Sequence, residues 1–378
     1  MQIMQAPTRL PGENLTEMLR ARVKPEQMQQ ARHNAYLCGM TVSEFVRYRL
    51  FGRVAGAAPA GLHPRIVRTL HSFGFKLQRQ ISALRNNAQQ LARIEESAQG
   101  TALWTQLTET LNRVEGQIVD LFDRTALAED HSIFGLDLRP VRSQLRALER
   151  QLEDGYQPEV ADLKASSESL GKLIHQAKDA LAFLDDYEEV ELDLTLSFDD
   201  DDPDFSGKSS NPYPTLRVRI TLAEKRYIQF LAAQAGKTDA EYVRFAVLNY
   251  SPPHSTNEVM PLLVSKVNAL TDRFSEGLSA HGTTLNALAL AAHTGRKSRA
   301  QAQPLAEQIT LELHALHSEI NTLQTALTLL IFAQYLEGMR YIALQFVDIS
   351  IWELRAKTLN AIVGTATQGI AKVMTHGS

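Results

Sequence analysis

Two short segments of the chain alternate strictly between apolar and polar positions. In "LRARVK", Leu19, Ala21 and Val23 alternate with Arg20, Arg22 and Lys24; in "LRVRIT", Leu216, Val218 and Ile220 alternate with Arg217, Arg219 and Thr221. A period of two predicts a β-strand with one apolar and one cationic face. Pro25 cannot donate to a ladder but suits a helix's first turn, so the first strand ends before it. Residues 26–38 and 223–235 follow as one helix apiece, stopped by Gly39 and Gly236. Thr41 with Glu44 and Thr238 with Glu241 have capping-box spacing, which predicts a second helix in each segment. Phe45, Val46 and Leu50, matched by Tyr242, Val243 and Val247, supply its core face.

Displacing the chain against itself by 197 positions superposes nine identities without a gap. Leu19, Arg20, Arg22, Ala35, Gly39, Thr41, Glu44, Val46 and Arg47 fall on Leu216, Arg217, Arg219, Ala232, Gly236, Thr238, Glu241, Val243 and Arg244. Ser82, Ala83, Leu91 and Ala92 keep that offset with Ser279, Ala280, Leu288 and Ala289. Further on an offset of 202 fits, pairing Ile118 with Ile320 and Leu121 with Leu323. The chain reads as a tandem duplication with a short loop difference inside it. A strand and two helices are too little to bury a core, and a lone strand leaves its backbone groups unpaired. The two strands are therefore expected to pair as an antiparallel ribbon. The expected fold class is mainly α, with two strand-helix-helix units of one short strand each plus long helical hairpins or bundles.

The organisation follows from these patterns. Residues 1–14 read as a flexible arm, 15–55 and 213–252 as the two units, and 62–130 and 256–335 as helical hairpins. Residues 136–184 read as a helical spacer and 336–378 as a C-terminal helical segment. Between them, 185–212 is an acidic linker: Asp185 to Phe205 holds eleven acids and no base, although Val190, Leu192, Leu194, Leu196 and Phe198 alternate as an edge strand would. The apolar run from Ala326 to Ile351 is broken by Gln334, Glu337, Arg340 and Asp348, so it falls short of a membrane span. It either closes the second helical region or docks a partner.

Charge changes the picture locally. The net charge is −4, yet residues 17–53 carry seven basic and three acidic side chains, and 215–250 carry six and three. The single cysteine, Cys38, excludes an internal disulfide and a Cys-based metal site and is expected as a buried thiol. The N-terminal "MQIMQAPTRLPGENL" lacks the apolar core of a signal peptide, which points to the cytoplasm. Catalytic signals are thin. "SGKSS" at 206–210 ends like a phosphate loop, but the pattern requires Gly where Asp202 stands. His314 and His317 share a helix face without a third ligand. No catalytic residue, metal or cofactor is expected, and the chain does not read as an enzyme.

The strand, the two helices and the outward Arg-x-Arg together resemble the ribbon-helix-helix family of DNA-binding proteins. The resemblance implies that the ribbon enters the major groove, with Arg20, Arg22, Lys24, Arg217, Arg219 and Thr221 reading base edges. It also implies that Met40, Thr41, Ser43, Lys237 and Thr238, at the start of each second helix, contact phosphates. The stretch from Ile81 to Ser97, "ISALRNNAQQLARIEES", is similar to the helix that follows this unit in MobC-like plasmid mobilisation proteins. Asn86, Asn87, Gln90, Leu91, Ala92 and Arg93 carry that likeness; the second copy keeps Asn286, Leu288 and Ala289 but lacks the Asn pair and the Arg. Two units in one chain resemble TraY-like conjugation proteins. These resemblances imply an accessory protein that binds double-stranded DNA at a transfer origin and helps assemble the relaxosome with a relaxase and a coupling protein of a type IV secretion system. Asn86, Asn87, Gln90 and Arg93 are then candidates for partner binding. A transcriptional or partition repressor and a helical scaffold that binds no DNA are the alternatives. Pairing within one chain, as a monomeric pseudo-dimer, and pairing between chains, as a homodimer, both satisfy the pattern.

Overall fold

The computed structural model describes residues 15–37, 41–51, 64–95, 97–126, 132–154, 156–188, 213–249, 255–294, 299–346 and 349–376. Cys38, Met40, the "SGKSS" stretch and the acidic linker from 189 to 212 lie outside the described residues. The elements are β1 (Glu17–Arg22), α1 (Pro25–Leu37), α2 (Val42–Phe51), α3 (Pro64–Ile94), α4 (Ala98–Ala126), α5 (Arg139–Glu153) and α6 (Val160–Ala180). They continue with β2 (Thr215–Ile220), α7 (Leu222–Gln234), α8 (Asp239–Leu248), α9 (Met260–His293), α10 (Arg299–Ala343) and α11 (Ser350–His376). The fold is mainly α, with one two-stranded antiparallel sheet. Among the described residues no helix is long and apolar enough to cross a membrane.

The chain divides into two compact units, each drawn from two separate stretches. The first takes residues 1–59 and 193–258, and the second takes 60–192 and 259–378. In the first unit β1 and β2 pair antiparallel, with Leu19 opposite Val218, Arg20 opposite Arg217 and Ala21 opposite Leu216. The inner face of the ribbon is buried: Leu19, Ala21, Val23, Leu216, Val218 and Ile220 join Phe45, Val46, Val243 and Val247 in one core.

The strands stop two residues earlier on one side and one earlier on the other than the alternation predicts, because helix capping outcompetes further pairing. The Lys24 carbonyl accepts from the Met28 amide at 3.0 Å, which starts α1. Thr221 is buried and caps α7: its hydroxyl accepts from the Glu224 amide at 3.2 Å, and its own amide donates to Glu224 Oε2 at 2.7 Å. Glu224 is held from α2 by Arg47, whose Nη2 lies 2.7 Å from Oε2 and 3.0 Å from Oε1. At the far end of α7, Gly236 adopts φ 63, so the Lys237 amide reaches the Ala232 carbonyl and the Gly236 amide that of Ala233. Those two bonds form a Schellman closure.

The second unit is a helical bundle. In α3, Ile66, Leu70, Phe73, Leu77 and Ile81 are buried; 197 positions on, so are Leu263, Val267, Leu270, Phe274 and Leu278 in α9. In α4, Leu107, Leu111, Val114, Ile118 and Leu121 are buried, as are Ile309, Leu313, Leu316, Ile320 and Leu323 in α10, at an offset of 202. The helices are joined both between chain neighbours and across the 197- and 202-residue offsets. Ser82 bonds Glu115 between α3 and α4, and Gln80 Nε2 donates to the Ser275 carbonyl between α3 and α9 at 2.8 Å. Gln117 Oε1 lies 2.6 Å from His317 Nδ1 between α4 and α10. Where Leu84 lines α3, α9 carries His281, which pairs with Glu312 at 2.7 Å.

The expected boundary at 335/336 falls inside α10, which runs without a break to Ala343. That part of the helix is apolar on most of its circumference, with Leu329, Leu330, Phe332, Ala333, Leu336 and Met339 buried. A helix of this kind must be covered on several sides. Helix α11 supplies much of the cover, with Trp352, Leu359 and Val363 in the same core, and Arg340 Nη1 donates to Asn360 Oδ1 at 2.7 Å. The 136–184 segment is part of this core too. Leu145, Leu148, Leu170 and Leu173 belong to it, Arg142 lies over the Tyr335 ring at 4.6 Å, and Phe134 meets Phe332 edge-on.

The buried cap at Thr221 gives a direct stability prediction. Thr221→Ala is expected to destabilise the ribbon unit by about 1 kcal/mol, seen as faster hydrogen exchange of the β1, β2 and α7 amides. Unchanged protection would mean that the cap contributes nothing to the ribbon.

Candidate nucleic-acid interface

The outer face of the ribbon carries six side chains in three facing pairs. Met18 stands opposite Arg219, Arg20 opposite Arg217, and Arg22 opposite Thr215. All four arginines are exposed. Arg20 and Arg217 are 197 positions apart, the spacing of the sequence offset, so the register is centred on this pair. Met18 and Thr215 are equivalent in the same sense, as are Arg22 and Arg219. The six outward positions therefore have an internal twofold arrangement, broken where Met18 stands in place of Thr215.

Like charges placed directly across a ribbon destabilise it. Several basic residues of this unit are engaged by partners within it. Arg47 bonds Glu224, Lys225 bonds Glu17 at 2.7 Å, Arg49 Nε donates to the Ala246 carbonyl at 2.9 Å, and Arg244 Nη1 donates to the Arg22 carbonyl at 3.0 Å. These four hold the unit together. Among the described residues, Arg20, Arg22, Arg217 and Arg219 take part in no ion pair; Arg20 Nε points to Met18 Sδ at 3.3 Å. Four unneutralised guanidinium groups on one exposed strip concentrate positive charge there.

Other sequence-selected positions are distributed as follows. Lys24 is exposed beside the Arg22 end of the strip, whereas Thr221 is the buried cap described above and is not part of the outer face. Thr215 occupies the place that Thr221 was expected to share, and Met18, 38% exposed, completes the strip. Extending the period-two count one step before Leu216 and before Leu19 finds both. At the start of α2, the Thr41 amide donates to Glu44 Oε2 and the Glu44 amide to Thr41 Oγ1, with Ser43 exposed alongside. The start of α8 repeats this with Thr238 and Glu241. The Thr238 amide and hydroxyl hold the Glu241 carboxyl below the usual carboxylate range. In each box two amides remain for an anion, those of Val42 and Ser43 and those of Asp239 and Ala240. Lys237 Nζ lies over the Phe245 ring at 5.3 Å, next to the second of these helix starts.

The second unit holds the remaining candidates. Asn86, Gln90 and Arg93 are exposed on α3, and Asn87 is half-buried. His317 is engaged by Gln117 and Asn321, while His314 is exposed. Among the described residues no three His, Cys, Asp or Glu side chains converge as a metal site would require.

No curated protein and no solved structure matches the chain. Residues 13–95, from just before β1 to the end of α3, match the family model described as NikA-like, mobilization protein NikA.

Proposed function

We propose that the chain is a sequence-specific duplex-DNA-binding accessory protein of plasmid mobilisation, and that one chain supplies both strands of a ribbon-helix-helix reading head. The observation that carries this reading is the Arg20–Arg217 pair, set opposite each other and flanked by Arg22 and Arg219 with no carboxylate among the described residues to neutralise them. The NikA-like match over residues 13–95 supports the mobilisation role. The reading set is Arg20, Arg22, Lys24, Arg217 and Arg219, joined by Met18 and Thr215. Thr41, Ser43, Lys237 and Thr238 flank it as phosphate contacts that fix the protein's register on the duplex. In this role the ribbon recognises a transfer origin, and the protein helps a relaxase assemble there in the cytoplasm. A scaffold that binds no DNA leaves the unneutralised arginine strip without a use.

The geometry supports binding as follows. Each outward arginine can donate two hydrogen bonds to the major-groove edge of guanine. The buried inner face fixes which side chains point out, because a slip of one residue would put the arginines in the core. Phosphate contacts add a sequence-independent term that weakens as salt displaces it.

Replacing Arg20 and Arg217 with Ala is expected to cost about 1–3 kcal/mol of discrimination for each lost guanine contact. The measurement is anisotropy titration of the full chain against its selected duplex and a scrambled one. Full discrimination in a variant lacking all four outward arginines would refute the ribbon as the reading element. A second outcome follows from the broken symmetry. Site selection from random duplexes should return a non-palindromic sequence for the natural chain, and a more symmetric one for Met18→Thr combined with Lys24→Thr. A palindrome selected by the natural chain would show that the two ends of the strip are read alike.

A further inference from the structure

The two copies share a buried pattern in α3 and α9, and this makes their outer faces directly comparable. Phe75, Arg79, Asn86, Gln90 and Arg93 lie along one exposed line of α3. At the equivalent positions, 197 further on, α9 exposes Asp272, Glu276, Thr283, Ala287 and Leu290. Packing is satisfied by either set, so the α3 line is not required by the fold. Over its whole length α3 carries six basic residues and no acidic one. Among the described residues, Arg79 and Arg93 have no ion-pair partner.

Phe75 adds a feature that charge alone does not supply. It is 66% exposed, in the same line as the arginines, and its ring is backed by His71 at 6.1 Å and Phe122 at 6.2 Å. An aromatic ring two-thirds exposed and flanked by two other rings offers surface on which a base can stack. Exposed phenylalanine, arginine along the same track, and Asn and Gln amides between them match what an unpaired nucleic-acid strand needs: stacking for a base, cations for the phosphates, and donors and acceptors for base edges. From Phe75 to Arg93 the line extends about 27 Å, room for on the order of four nucleotides.

We infer that the exposed line Phe75, Arg79, Asn86, Gln90 and Arg93 of α3 is a binding site for single-stranded DNA. It is separate in sequence and in side chains from the duplex-reading ribbon. The site does not depend on the ribbon reading, since none of its residues belongs to the ribbon unit.

The test uses the full chain and a fluorescent oligothymidylate, which offers phosphates and unpaired bases but no duplex. The natural chain is expected to bind it with an affinity that falls as salt rises. Phe75→Ala should weaken binding by about 5- to 150-fold, the loss of one stacked base. Arg79→Glu with Arg93→Glu should weaken it and flatten the salt dependence. Arg20→Ala with Arg217→Ala should weaken duplex discrimination, and Phe75→Ala should still weaken oligothymidylate binding in that background, so the two sites fail separately. All three α3 side chains are exposed, and unchanged circular dichroism will confirm that the variants fold. The inference is overturned if the natural chain does not bind oligothymidylate, or if the α3 variants bind it as well as the natural chain does. It is equally overturned if those variants lose a relaxase while keeping the oligonucleotide, which would make the line a protein-docking face.

Discussion

The pairing of β1 with β2 is the interaction on which the first unit depends. A single strand in water exposes a row of amides and carbonyls and one apolar face, and it cannot satisfy both needs from its own copy. Bringing the copies together buries Leu19, Ala21, Val23, Leu216, Val218 and Ile220. Each large apolar side chain so removed from water contributes about 1.5–3 kcal/mol. Setting Arg20 opposite Arg217 costs on the order of 0.2–1 kcal/mol. The inner face therefore fixes the register, and the register imposes the like-charge pair. A bound phosphate or guanine would convert that local cost into recognition.

The same division of labour organises the rest of the chain. The first unit takes residues 1–59 and 193–258 and the second 60–192 and 259–378, so each draws on two separate stretches of the chain. Closing the chain between two strands separated by nearly two hundred residues costs roughly 5 kcal/mol of entropy. The bundle shares that cost, because α3 with α9 and α4 with α10 are joined by contacts of their own. Two strands in one chain meet at a high effective concentration, which two separate chains lack. The covalent link also permits asymmetry: Met18 and Thr215 can differ, whereas two identical chains could present only one of them.

The alternation, the capping residues and the offset were all legible in the sequence because each has a short-range signature. Thr238 with Glu241 needs only three-residue spacing, and Gly236 needs only its lack of Cβ. What was not legible depends on partners far away in the chain. Thr221 continues the alternation on paper, and its assignment to the helix rests on Glu224, itself fixed by Arg47 from α2. Periodicity could show that Arg47, Arg49, Arg217 and Arg219 were basic and amphipathically placed. It could not show that the first two would be spent on contacts within the unit and the last two left unneutralised. The continuation of α10 past 335 was hidden for a related reason: a stretch apolar on most of its circumference shows little periodicity, and the elements that cover it, α5, α6 and α11, are separate in sequence.

Comparing the copies separates what packing requires from what it leaves open. At buried positions the two halves agree in character over α3 with α9 and α4 with α10, changing mainly among Leu, Ile, Val and Phe. At exposed positions they follow two different patterns. On the ribbon Arg20 with Arg217 and Arg22 with Arg219 are alike. On the long helices the equivalent lines differ in sign, with arginines and an exposed phenylalanine on α3 against two acids on α9. A paired surface needs both halves to match, and a site confined to one helix does not. The ribbon is built from two like strands, whereas the exposed line of α3 differs from that of α9.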